Sequence, residues 1–150
     1  MSTKSGELTV ADLMTTDVFT LYEDDNLRVL KELMNWRNIR HIPVIDQEDR
    51  LAGLMTHRDF LKLALSKLSG INEEEANEIY EDIAVGQVMR KNVAFGSVDT
   101  PLSEIAEIMV TTKIGCLPIL EDGKLKGIIT EADFVRAFRD WNVKLEKHKA

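Results

Sequence analysis

Short apolar segments alternate along this chain with runs that repeat every three to four residues. VFTLY and, much later, VAFGSV each lead into a polar stretch, Asp24-Asp25-Asn26 and Asp99-Thr100-Pro101. Each polar stretch opens an amphipathic helix: Leu27, Leu30, Leu33 and Met34 share one face, as do Leu102, Ile105, Ile108 and Met109. Asp25 and Thr100 can cap these helices, and Pro101 suits a first turn, where no N–H is needed. The period then changes. Ile42-Pro43-Val44-Ile45 and Leu117-Pro118-Ile119-Leu120 are continuous apolar runs, closed by the turn-rich QEDR and EDGK and followed by Leu51–Thr56 and Leu125–Thr130. Each reads as a hairpin of buried strands, with the proline implying an edge or entry position. A second helix follows Thr56 or Thr130, so the predicted unit is β-α-β-β-α, an α/β (α+β) fold.

The unit occurs twice. Val10, Met14, Val18, Asp24, Leu27, Glu32, Met34, Ile39 and Pro43 match Val85, Met89, Val93, Asp99, Leu102, Glu107, Met109, Ile114 and Pro118. After a one-residue deletion, Leu51, Gly53, Thr56, Asp59 and Phe60 match Leu125, Gly127, Thr130, Asp133 and Phe134. Two copies are too few for a solenoid and predict a face-to-face pair. The boundaries that follow are a first domain over 8–68, an acidic and partly helical connector over 69–84, a second domain over 85–141 and a charged tail over 142–150. In the connector Gly70 breaks a helix and Asn72 caps a new one, and Glu73–Ile83 reads as a short solvated helix.

Composition narrows the function. At 150 residues and 44% hydrophobic, the chain can bury one core or two small fused ones. No stretch approaches the ~20 apolar residues of a membrane span, and the N-terminus lacks a secretory apolar run, which predicts a cytoplasmic protein. One cysteine, Cys116, makes no internal disulfide, and His41, His57 and His148 have no zinc-site spacing. The net charge of −7 argues against nucleic-acid binding, which needs a basic face. With no Ser-His-Asp arrangement, P-loop or dinucleotide fingerprint either, the prediction is a binding module with no catalytic residues, no metal and no required cofactor.

The order VADLMTTDVFTL, IRHIPVID, GLMTHRDF, followed by VGQVMRKNVAFGSV, IGCLPILEDGKLKGIITEADF, resembles a pair of CBS domains, the modules named after cystathionine β-synthase. The resemblance covers nearly the whole chain outside 1–7, the connector and the tail. It implies a pseudo-twofold pair of repeats with two equivalent clefts, which in many members hold adenine nucleotides.

Both G-x-x-T-x-x-D corners, Gly53-Thr56-Asp59 and Gly127-Thr130-Asp133, admit two explanations. Thr with Asp three positions on is nearly a capping box, which alone would explain T-x-x-D. The glycine lets another backbone or a ligand approach the strand closely. A helix N-terminus with a Thr hydroxyl also suits phosphate, and an ionised Asp suits the hydroxyls of a ribose, the roles that the resemblance implies for Thr56, Asp59, Thr130 and Asp133.

The resemblance further places the adenine against the first strand of the opposite repeat: Arg90, Lys91, Asn92 and Val93 for the Asp59 site, Thr15, Thr16, Asp17 and Val18 for the Asp133 site. It directs His41 to the phosphates at the Asp59 site and Arg40 across to the Asp133 site. The second repeat has Gly115 and Cys116 at these positions, so a cation is missing and Cys116 becomes an apolar lining residue. With Arg58 added, the Asp59 cleft has the larger cation count, whereas the other has Glu131 and Asp17 nearby, so the first should hold the more phosphorylated ligand.

Apolar residues on almost every side of the helix carrying Phe60, Leu61, Leu63, Ala64, Leu65 and Leu68, and on much of that carrying Phe134, Val135, Ala137, Phe138 and Trp141, predict a homodimer. The expected function is a stand-alone energy or metabolite sensor that binds AMP, ADP or ATP and signals to an unknown effector protein. The alternatives are a structural dimerisation module with empty clefts, or a binder of another adenosyl ligand such as S-adenosylmethionine or NADH.

Overall fold

The computed structural model describes the backbone of residues 8–149 and the side chains of residues 8–142; residues 1–7 and the side chain of His148 lie outside what is described. The chain forms two compact units. One is Phe19–Val93; the other combines residues 8–18 with residues 94–149.

In the unit of residues 19–93, β1 (Leu21–Tyr22), β2 (His41–Ile45) and β3 (Leu51–Thr56) form a sheet in the order β1-β2-β3. β1 runs parallel to β2, with Leu21 beside Val44, and β2 runs antiparallel to β3, with His41 beside Thr56. Helix α2 (Leu27–Arg37) buries Leu27, Leu30 and Met34, as its periodicity predicts. These pack with Ile42, Val44 and Met55 of the sheet and with Phe60 of α3 (His57–Lys67).

The second unit repeats the order. β4 (Gly96–Ser97), β5 (Cys116–Glu121) and β6 (Lys124–Thr130) form a sheet in the order β4-β5-β6. α6 (Leu102–Thr112) and α7 (Glu131–Lys149) accompany it, and Ile105, Met109, Leu117, Ile119 and Ile129 make the core with Val10. Asp122 and Gly123, both at positive φ, turn the β5–β6 hairpin between the paired Glu121 and Lys124.

Several sequence expectations are corrected. Of the edge or entry position expected for the prolines, only the edge fails: β2 and β5 are central strands, and Pro43 and Pro118 sit one residue before the parallel pairing starts at Val44 and Ile119. Asn26, not Asp25, caps α2, its side chain accepting from the Val29 N–H at 3.0 Å, while the Asp25 carboxylate accepts from the Tyr22 N–H. Pro101 occupies the cap position of α6, and Thr100 accepts from the Ser97 N–H instead. The connector helix α4 (Glu73–Glu81) is not merely solvated: Ala76 and Tyr80 are buried in the first core, the Tyr80 ring 5.2 Å from that of Phe60. The tail continues α7 as helix to Lys149.

Two short helices escaped the sequence reading, α1 (Val10–Leu13) and α5 (Val85–Val88). For α1 the signal was present as Thr9-x-x-Asp12, a full capping box in which the Thr9 hydroxyl accepts from the Asp12 N–H and the Asp12 carboxylate accepts from the Thr9 N–H. Each short helix delivers a strand-like segment to a sheet whose other strands lie far along the chain. Thr15 pairs with Ile128 of β6, and Arg90 pairs with Leu54 of β3. The compact units therefore exchange their leading segments relative to the sequence repeats.

Candidate functional site

At the end of β3, Thr56 caps α3: its hydroxyl accepts from the Asp59 N–H at 3.0 Å. His41 stands beside it in the register of β2 and β3. The Asp59 carboxylate does not close the capping box. Both its oxygens accept from one guanidinium instead, Oδ2 from Arg90 Nε at 2.5 Å and Oδ1 from Arg90 Nη2 at 3.1 Å. This bidentate pair holds the Asp59 carboxyl below the usual carboxylate range, the Arg90 hydrogen bond being the main cause. Because the folded-state value lies below the ordinary ~3.9, the pair stabilises the fold at neutral pH and that contribution fades as pH falls through the folded value.

Arg90 reaches Asp59 because its backbone is fixed. The Leu54 N–H donates to the Arg90 carbonyl at 3.0 Å, and the Arg90 N–H donates to the Leu54 carbonyl at 2.9 Å. Gly53 permits that approach: a Cβ there would lie 2.6 Å from the Arg90 carbonyl oxygen and 2.5 Å from Met89 Sδ. Of the two explanations left open for the glycine, the close neighbour is backbone. Lys91 and Asn92 follow on the surface and Val93 is half-buried. Arg58 is also exposed, and neither it nor Lys91 enters an ion pair among the described residues.

The Asp133 corner uses the same sequence signature differently. Asp133 is 7% exposed, and its Oδ2 accepts from the Thr130 N–H at 2.9 Å and from the Thr130 hydroxyl at 3.3 Å. Its Oδ1 accepts from Arg136 Nη2 at 2.5 Å, a partner that the i, i+3 spacing could have indicated and the sequence reading missed. Thr15 supplies the pairing segment, the Thr15 N–H donating to the Ile128 carbonyl at 2.8 Å. Thr16 and Asp17 are exposed and Val18 is half-buried.

Cys116, beside Thr130 in the β5–β6 register, is fully buried. Burial, with the Asp133 charge as a smaller cause, pushes its thiol up to about 12, which favours the protonated thiol at neutral pH. Arg40 belongs to the unit of residues 19–93, and Asp133 to the other. The Arg40 carbonyl accepts from the His57 N–H at 2.8 Å, as the Gly115 carbonyl does from the Glu131 N–H at 3.1 Å.

Comparison with known proteins gives a consistent family signal. The CBS domain family model matches residues 10–66 and 85–140. Protein MJ1225 of Methanocaldococcus jannaschii is 33% identical over 86% of this chain, which spans 46% of that relative's length; its crystal structure superposes with a TM-score of 0.75. The chain thus spans about half of that relative. A CBS domain-containing protein of Dictyostelium discoideum is 31% identical over 84% of this chain and 88% of its own. The crystal structure of CBSX2 in complex with AMP is 27% identical, with a TM-score of 0.76, covering 91% of this chain and 99% of that one.

Proposed function

This chain belongs to the CBS-domain family, with two such domains, and from that premise we propose that it is a regulatory module binding an adenine nucleotide at the Asp59 corner. The observation that carries the reading is the Asp59 corner itself. A helix N-terminus, a Thr hydroxyl, an ionised carboxylate and a two-pronged cation converge within one compact unit. The helix end and the guanidinium suit phosphate, and the carboxylate suits ribose hydroxyls. CBSX2, a relative of similar length, has a crystal structure in complex with AMP.

The two corners differ in this reading. The Asp59 side chain is 21% exposed and its partner Arg90 is 50% exposed, so both can exchange partners for a ligand. Asp133 is bound to its own helix, which makes its site, with Thr16, Asp17 and Val18, the weaker of the two. His41, Arg58 and Lys91 supplement Arg90 at the stronger corner, and Asn92 and Val93 meet the base. The ligand is AMP, ADP or ATP, and no catalytic group is assigned. Location in the cytoplasm belongs to the same reading; no helix among the described residues is long and apolar enough to cross a membrane.

A thermal-shift panel of adenine and guanine nucleotides tests it. At ~100 times its dissociation constant, an adenine nucleotide that binds only the folded state is expected to stabilise by ~2.7 kcal/mol. Equal silence from every nucleotide at millimolar concentration would contradict the proposal.

The module also functions as a homodimer in this reading. On α3, Leu61 and Leu65 are exposed, Leu65 to 75%, and on α7 Val135, Phe138 and Trp141 form an exposed stripe. Such apolar surface is characteristic of an interface. Sedimentation at micromolar concentration should report a dimer, and a Phe138→Glu, Trp141→Glu variant a monomer; a wild-type monomer would remove dimerisation from the account.

A further inference from the structure

The Asp59 carboxylate is already occupied. Arg90 covers both oxygens with the two arms of its guanidinium, and these are the atoms to which a ribose diol would donate. We propose that Arg90 is a latch which a ligand must displace, and that it selects phosphorylated nucleotides over adenosyl ligands without phosphate at this corner. The inference rests on the reading of Asp59 as a ribose acceptor.

Three features of the pair support displacement. Its guanidinium is half exposed, so the ion pair is only modestly stabilising and breaks at low cost. Two backbone hydrogen bonds with Leu54 fix the Arg90 main chain, so a released guanidinium stays tethered beside the corner. At the corresponding Asp133 an arginine covers one oxygen only: Arg136 of its own helix, itself exposed, donates to Oδ1, while Oδ2 is taken by the Thr130 N–H and hydroxyl, so releasing the arginine does not free the carboxylate.

Selection follows from what happens to the released cation. A ligand with ribose alone takes the carboxylate and leaves Arg90 without an anion. One that also carries a phosphate offers Arg90 a second bidentate acceptor at the moment it gives up the first. Every ligand meets the cost of opening the latch, and only a phosphorylated one recovers it.

Calorimetric titration of the full chain with adenosine and with AMP tests the latch, using wild type, Arg90→Ala, Arg90→Lys and Asp59→Ala. Removing the competitor should tighten adenosine about threefold to fivefold in Arg90→Ala. AMP shares that gain but loses a charge-assisted phosphate contact, so the preference for AMP over adenosine should fall about tenfold. Arg90→Lys keeps the charge without the fork and should shift both values in the same directions by less, which covers the case of an unfolded alanine variant. Adenosine affinity unchanged or weakened in both Arg90 variants would overturn the latch; if Asp59→Ala still abolished AMP binding, the ribose reading would survive that loss. Wild type binding neither ligand would end both.

Discussion

Gly53→Ala is expected to destabilise the protein by ~2–4 kcal/mol, the sum of an overpacking cost and of strained or broken backbone hydrogen bonds. The new Cβ would meet Met89 Sδ at 2.5 Å, which a flexible thioether can relieve, and the Arg90 carbonyl oxygen at 2.6 Å, which cannot retreat without opening the Leu54–Arg90 bond pair. Gly127→Ala should behave alike, its Cβ lying 2.6 Å from the Thr15 carbonyl oxygen, itself bonded to the Ile128 N–H at 2.9 Å. Gly123→Ala separates this steric effect from backbone preference. That residue has φ +79° and open space around it, so its cost is only the ~1–2 kcal/mol of a left-handed alanine. Urea denaturation midpoints measure all three. Losses below ~1 kcal/mol at both Gly53 and Gly127 would show that the paired segments are loosely held.

The same glycines mark how far the sequence could be read. Duplication, helix faces and hairpins were legible because burial imposes a period: Leu27, Leu30 and Met34, and again Ile105 and Met109, fall inside at helical spacing. Position-specific capping was less legible. In Asp24-Asp25-Asn26 any of three adjacent side chains can cap, and only the chain path sends Asp25 back to Tyr22 and leaves Asn26 the role. Helix α4 misled through its surface: Glu73, Glu74 and Glu75 dominate the composition, yet two well-placed residues, Ala76 and Tyr80, suffice to dock it.

At the corners, sequence identified the residues but not their partners. T-x-x-D is the same text at 56 and 130, and local pattern gives no reason for Asp59 to turn towards Arg90 while Asp133 turns back to Thr130. The difference arises from a contact across 31 residues in the first case and a contact within one helical turn in the second. Long-range pairing of this kind depends on the exchanged segments, which no local period encodes. The full burial of Cys116 was not legible for a related reason, since a small side chain next to a proposed cleft reads equally well as lining it or as lying beneath it.

Titration of AMP into wild type, Asp59→Ala and Asp133→Ala by calorimetry tests the central claim, that Asp59 holds the ligand while Asp133 chiefly holds its own helix. Asp59→Ala is expected to weaken AMP by ~1.5–3 kcal/mol, about tenfold to a hundredfold, through loss of charge-assisted bonds to the ribose. Asp133→Ala should leave that tighter binding event within about twofold and instead lower stability by ~1 kcal/mol, because the Thr130 N–H loses its capping acceptor. An Asp59→Ala protein that folds as wild type and titrates with unchanged affinity would contradict the account.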